Sequence, residues 1–88
     1  MLTGKTKSGF KFKIDEKIAD DMELLEDIAK TDKDTSYFPT VLNKIFGEEQ
    51  KKALYDHLRN KDGRVPIEAT LTEFTEIMNL ASEKTKNS

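Results

Sequence analysis

The chain has 88 residues, an apolar share of 35% and a charged share of 36%, with a mean hydropathy of −0.71. That is room for one small domain with a modest core. No cysteine and a single histidine exclude a disulfide framework, a thiolate site and a His-rich zinc site. A net charge of −2 is too balanced for a generic nucleic-acid surface, but the charge is segregated. Residues 1–14 carry four lysines and no acid, whereas residues 15–34 carry nine acids against three lysines.

The N-terminal stretch alternates with period two. Phe10, Phe12 and Ile14 fall on one face, Lys11 and Lys13 on the other. Ser8-Gly9 is a turn signal, so Leu2 to Lys7 is expected to pair back as a hairpin. An isolated hairpin is barely stable, and its apolar face must lie on helices or on a second subunit. Phe10, Phe12 and Ile14 are therefore candidates for self-association.

A first helix is expected from Asp15 or Asp20, with acids in its opening turns where the helix dipole favours them. Ile18, Met22, Leu25 and Ala29 form its apolar stripe, widened by Leu24 and Ile28. The polar run from Thr31 to Ser36 reads as a loop. A short second helix follows, with Pro39 in its first turn, apolar positions Phe38, Val41, Leu42, Ile45 and Phe46, and Gly47 as its end. A third helix runs from about Glu48 to Asn60, and Lys61 to Arg64 is a turn. Pro66 opens the last helix, whose stripe is Ile67, Leu71, Phe74, Met78 and Ala81, flanked by Ile77 and Leu80. The expected fold is mainly α, with about four short helices and an N-terminal β-hairpin in a single domain. Residues 1–14 form a basic arm, 15–82 the helical core and 83–88 a frayed tail.

The residues offer no enzyme constellation. Asp56 and His57 are adjacent on a helix and diverge in direction. No Gly-x-Ser-x-Gly, Walker A or Gly-x-Gly-x-x-Gly run occurs. A calcium loop with Gly63 at its sixth place would need carboxylates at Leu58 and Ala69, and fails. No catalytic residue, metal ligand or cofactor is expected. No apolar run approaches a membrane span, and MLTGKTKSGF lacks the features of a signal peptide, which favours the cytoplasm. The aromatics of the basic arm alternate away from its lysines, so nucleic acid is a less favoured partner than protein.

The segment from Phe46 to Arg59, FGEEQKKALYDHLR, and the segment from Asp62 to Glu68, DGRVPIE, resemble the tail assembly chaperones of long-tailed bacteriophages and prophages of Gram-positive bacteria. The acidic DDMELLE from Asp20 to Glu26 and the closing Lys-Asn-Ser at 86–88 are similar to the same family. The resemblance spans about Gly9 to Ser88. Relatives often carry a tryptophan where this chain has Met22. The resemblance implies a non-enzymatic protein in the host bacterial cytoplasm, one that coats the tape-measure protein and self-associates. It implies a short form, with a longer frameshifted form recruiting the tail-tube protein. On that reading Phe38, Leu42, Ile45, Phe46, Phe74, Ile77 and Met78 are candidate partner anchors, since their stripes have surplus apolar width. The alternative is a small helical regulator binding nucleic acid or another protein through its lysine-rich arm.

Overall fold

A computed structural model describes residues 1–86. Strand β1 (Leu2–Lys5) pairs antiparallel with β2 (Lys11–Ile14), in the register Leu2 opposite Ile14 and Gly4 opposite Phe12. A 3₁₀ turn (Glu16–Asp20) leads to helix α1 (Met22–Lys33), and a second 3₁₀ turn (Thr35–Tyr37) leads to α2 (Phe38–Leu58). Helix α3 (Ile67–Lys86) closes the chain. The hairpin lays one face over the helices, with α3 packing against β1 and α2 against β2.

The hairpin loop is longer than alternation alone implies, because Thr6 and Lys7 belong to the turn. The Thr6 N–H donates to the Phe10 carbonyl at 2.9 Å, and the Gly9 N–H to the Thr6 carbonyl at 3.0 Å. Gly9 sits at φ 97°, a conformation that a side chain would strain. Phe10, Phe12 and Ile14 then point inward and are buried.

Gly4 is fixed by its cross-strand neighbour. A Cβ there would lie 2.6 Å from Cζ of Phe12, whose ring is 2% exposed and has no room to retreat. Overpacking costs about 1–3 kcal/mol, and relief of glycine's backbone entropy returns about 0.5–1 kcal/mol. Gly4→Ala is therefore expected to lose about 1 kcal/mol net, read as a lower urea midpoint with an unchanged slope.

Helix α1 differs from expectation in start, end and phase. Asp15 caps only the 3₁₀ turn, its carboxylate accepting the Lys17 N–H at 3.0 Å. Asp21 caps α1 itself, accepting from the N–H groups of Glu23 and Leu24 at 3.0 and 3.3 Å. The helix continues to Lys33 through part of the expected loop, because Asp34 ends it and at once caps the next turn. The buried face carries Leu24 and Asp27, with Ile28 half-buried, while Met22 and Leu25 are 70% and 57% exposed. The expected stripe of Ile18, Met22, Leu25 and Ala29 requires one continuous helix. A 3₁₀ turn with three residues per turn breaks that phase at Asp21.

Asp27 explains how an acid comes to sit on the inner face. Its carboxylate takes a hydrogen bond from the Tyr37 hydroxyl at 3.0 Å and an ion pair from the Lys44 ammonium of α2. The Lys44 contact holds the Asp27 carboxyl below its usual range against the opposing effect of burial, with Tyr37 assisting. The hydrogen bond to Asp27 raises Lys44 in turn. A lowered acid contributes stability above its ordinary value and loses it as pH falls. Asp27→Asn is expected to have a lower urea midpoint than the parent at neutral pH. The two midpoints should converge as pH drops below 3.8.

Among the described residues, three α-helices stand where about four helices are expected. Gly47 ends a helical segment, at φ 76° and ψ 168°, and the next starts at once with Glu48, both as anticipated, but no loop separates them. Residues 38–46 and 48–58 therefore abut as one kinked element, α2. At α3, Pro66 stands just outside the helix, its carbonyl accepting the Thr70 N–H at 3.1 Å. The tail expected to fray from Glu83 is helical through Lys86, and residues 87–88 lie outside the described residues.

Candidate functional site

The anchors nominated by sequence go mostly to the core. Phe38, Leu42, Ile45, Phe46, Phe74 and Ile77 are buried within the single chain, as are Phe10, Phe12 and Ile14; Met78 is half-buried. The reason is supply. A chain with a 35% apolar share needs both sides of each stripe for its own packing. Of the nine buried residues, Phe38 and Leu42 nonetheless border an open groove.

Hairpin pairing with another chain also meets an obstacle. The Gln50 amide accepts the Lys13 N–H at 2.7 Å and donates to the Lys13 carbonyl at 2.7 Å. It occupies the outer edge of β2 as a neighbouring strand would. On the outer edge of β1, the Lys84 ammonium donates to the Thr3 carbonyl. Side chains thus cover both edges at these positions, a common guard against edge pairing.

An open apolar surface lies elsewhere, between the two segments of α2 and the start of α3. Phe38, Pro39 and Leu42 form one wall of this groove, Tyr55 and Arg59 the other, and Val65, Ile67 and Thr70 the end. Its volume is about 660 Å³. Ile67 stands at the rim with 65% of its surface exposed. Partial burial raises the Tyr55 phenol above its ordinary value.

The walls are held firmly. Arg59 donates to the Gly63 carbonyl at 2.7 Å and to Asp56 at 3.1 Å. The Asn60 side chain accepts the N–H groups of Asp62 and Arg64 at 2.9 and 3.0 Å. Gly63 at φ 84° completes the turn, and Thr70 fastens its hydroxyl to the Pro66 carbonyl at 2.7 Å. Such a groove fits an apolar side-chain row of a helix. Sequence reasoning assigned Tyr55 and Val65 no role, because a groove arises from where a kink and a turn place three segments.

A second cluster was also beyond sequence reach. The buried carboxylate of Glu73 accepts from the hydroxyls of Thr6 and Ser8 at 2.6 and 2.7 Å. The Ser8 hydroxyl lies 3.0 Å from His57 Nε2. These residues stand 49 to 67 positions apart, so no local motif announces them. The carboxylate here engages the hydroxyl, whereas in a Ser-His-acid triad it orients the imidazole. Glu76 accepts the Lys7 N–H at 2.7 Å beside it. Together they clasp the hairpin loop to α2 and α3.

Among the described residues, no group of three His, Cys, Asp or Glu side chains could hold a metal ion, and no helix is long and apolar enough to cross a membrane. No protein-family model, curated protein or solved structure matches the chain.

Proposed function

We propose that the chain is a tail assembly chaperone of a long-tailed bacteriophage, and that its groove receives an apolar stripe of the tape-measure helix. The observation that carries this reading is an open apolar groove of about 660 Å³, against about 280 Å³ for the apolar pocket lined by Leu2, Ile18, Ile28 and Met78. The residues behind the family resemblance, 46–59 and 62–68, supply Tyr55, Arg59, Val65 and Ile67 to that groove. A long apolar helix awaiting its tube needs reversible cover, and helix-in-groove binding supplies it without chemistry. On this reading the protein works in the host bacterial cytoplasm and self-associates along its client. A longer frameshifted form recruits the tail-tube protein.

The test is titration of amphipathic segments of the cognate tape-measure protein. A segment should bind the parent, and Ile67→Asp should weaken it at least about tenfold, because a carboxylate then faces an apolar stripe. Ile67 is largely exposed, so the melting midpoint should hardly move. No binding by the parent at high micromolar concentration would end the chaperone reading. Equal binding by Ile67→Asp would remove the groove from it.

A further inference from the structure

The outer face of the hairpin is a surface of one charge. Thr3, Lys5, Lys11 and Lys13 are exposed there, on the side opposite the buried Phe12 and Ile14. Lys84 reaches the same face from the far end of the chain, through its bond to the Thr3 carbonyl. These residues line one shallow depression. None of the four lysines forms an ion pair among the described residues.

Lys5 and Lys11 stand directly opposite each other. Bonding between Thr6 and Phe10, with Lys13 turned outward to Gln50, makes this a non-hydrogen-bonded pair, where side chains come closest. Like charges so placed are destabilising, and among the described residues no carboxylate lines the depression to relieve them. The chain has nine acids in residues 15–34, yet none is paired with these lysines.

The composition of the face selects its partner. A protein interface needs an apolar centre with large anchors, and this face exposes threonine and lysine, the Phe12 ring and Gly4 that also line the depression being turned inward. A phosphodiester backbone needs only cations. With no aromatic side chain turned outward, bases have no stacking platform, so sequence would not be read. Lys11 and Lys13 are about 6.8 Å apart along β2, so the face presents its charges in a row.

We propose that the outer face of the hairpin, completed by Lys84, binds the phosphate backbone of nucleic acid without regard to base sequence. This surface is separate from the α2–α3 groove and does not depend on the chaperone reading.

Fluorescence anisotropy of a short mixed-sequence DNA duplex tests it. With four phosphate contacts, log K should fall against log salt with a slope of about −3.6, or about a hundredfold between 50 and 200 mM. Lys11→Gln and Lys84→Gln should each flatten the slope by about one. The triple change Lys5→Gln, Lys11→Gln, Lys13→Gln should abolish binding at low salt while the far-UV spectrum and melting midpoint hold. Lys61→Gln, in the turn before α3, should leave binding unchanged. No retention by the parent at low salt would overturn the proposal, as would equal loss with Lys61→Gln. Poly-glutamate is the competing probe. If it binds as tightly as DNA with the same lysine dependence, the face is one for acidic protein segments and the proposal fails.

Discussion

Phe74→Ala should lower the stability of the chain by about 3–5 kcal/mol, the cost of emptying a buried aromatic site. Phe74 is 9% exposed, and its ring meets Phe38 edge-on, with centroids 5.2 Å apart and planes at 79°. That geometry adds about 0.5–1.5 kcal/mol beyond area burial. A domain of this length has a total stability of about 4–13 kcal/mol, so the variant should melt at least about 12 °C lower or fail to fold at 37 °C. Thermal unfolding followed by far-UV circular dichroism reads the shift. An unchanged midpoint, with weaker association in sedimentation, would instead make Phe74 an interface residue. Phe38→Ala alone and with Phe74→Ala would complete a double-mutant cycle, which should return a coupling of about 0.5–1.5 kcal/mol.

Gly47→Ala should cost about 1–3 kcal/mol, for a different reason. At φ 76° and ψ 168° the backbone lies in a region that only glycine occupies comfortably. A Cβ there meets nothing within 4 Å, so the cost is conformational and not a clash. The alanine chain must either bear that strain or straighten α2. Straightening would draw Gln50 from Lys13 and Leu54 from the core, both of which depend on the redirected second segment. D-alanine in place of Gly47 separates the two effects. Its mirror-image preferences accommodate positive φ, and a chemically synthesised chain carrying it should keep the parent's stability. Equal destabilisation by both enantiomers would mean that the kink is not the cause.

Features set by adjacent residues were legible in the sequence. The glycine of the hairpin loop, the proline opening α2, the turn at Gly63 and, of the stripe expected on the last helix, the burial of Phe74 and Ala81 follow from local geometry, whereas Ile67 of that stripe is exposed. The phase of α1 was not legible. Periodicity fits any helix that begins early enough, and only Asp21's capping bonds show that the α-helix starts after a 3₁₀ turn. Asp27 lies on the inner face because Lys44 and Tyr37 meet it there, and a hydropathy pattern counts an acid as outward. The burial of most candidate anchors within the single chain was not legible for a related reason. Apolar spacing says that a side chain will be covered, but not by which surface. The groove escaped notice because it is defined by the space among Leu42, Tyr55 and Ile67, not by a property of any one of them.

The bonds securing the hairpin reach far along the chain: Thr6 to Glu73, Lys7 to Glu76 and Thr3 to Lys84. The hairpin is thus tied down by residues made 67 to 81 positions later. Between synthesis of Ile14 and of Lys84, at roughly 5–20 residues per second, some 4–14 s pass. Throughout that interval Phe10, Phe12 and Ile14 have no α3 to cover them, and they resemble a short sticky peptide tethered to a translating ribosome. Nascent-chain crowding, and not the finished fold, is then where this protein is most exposed to aggregation. Slower elongation through residues 15–84 would lengthen that exposure in direct proportion.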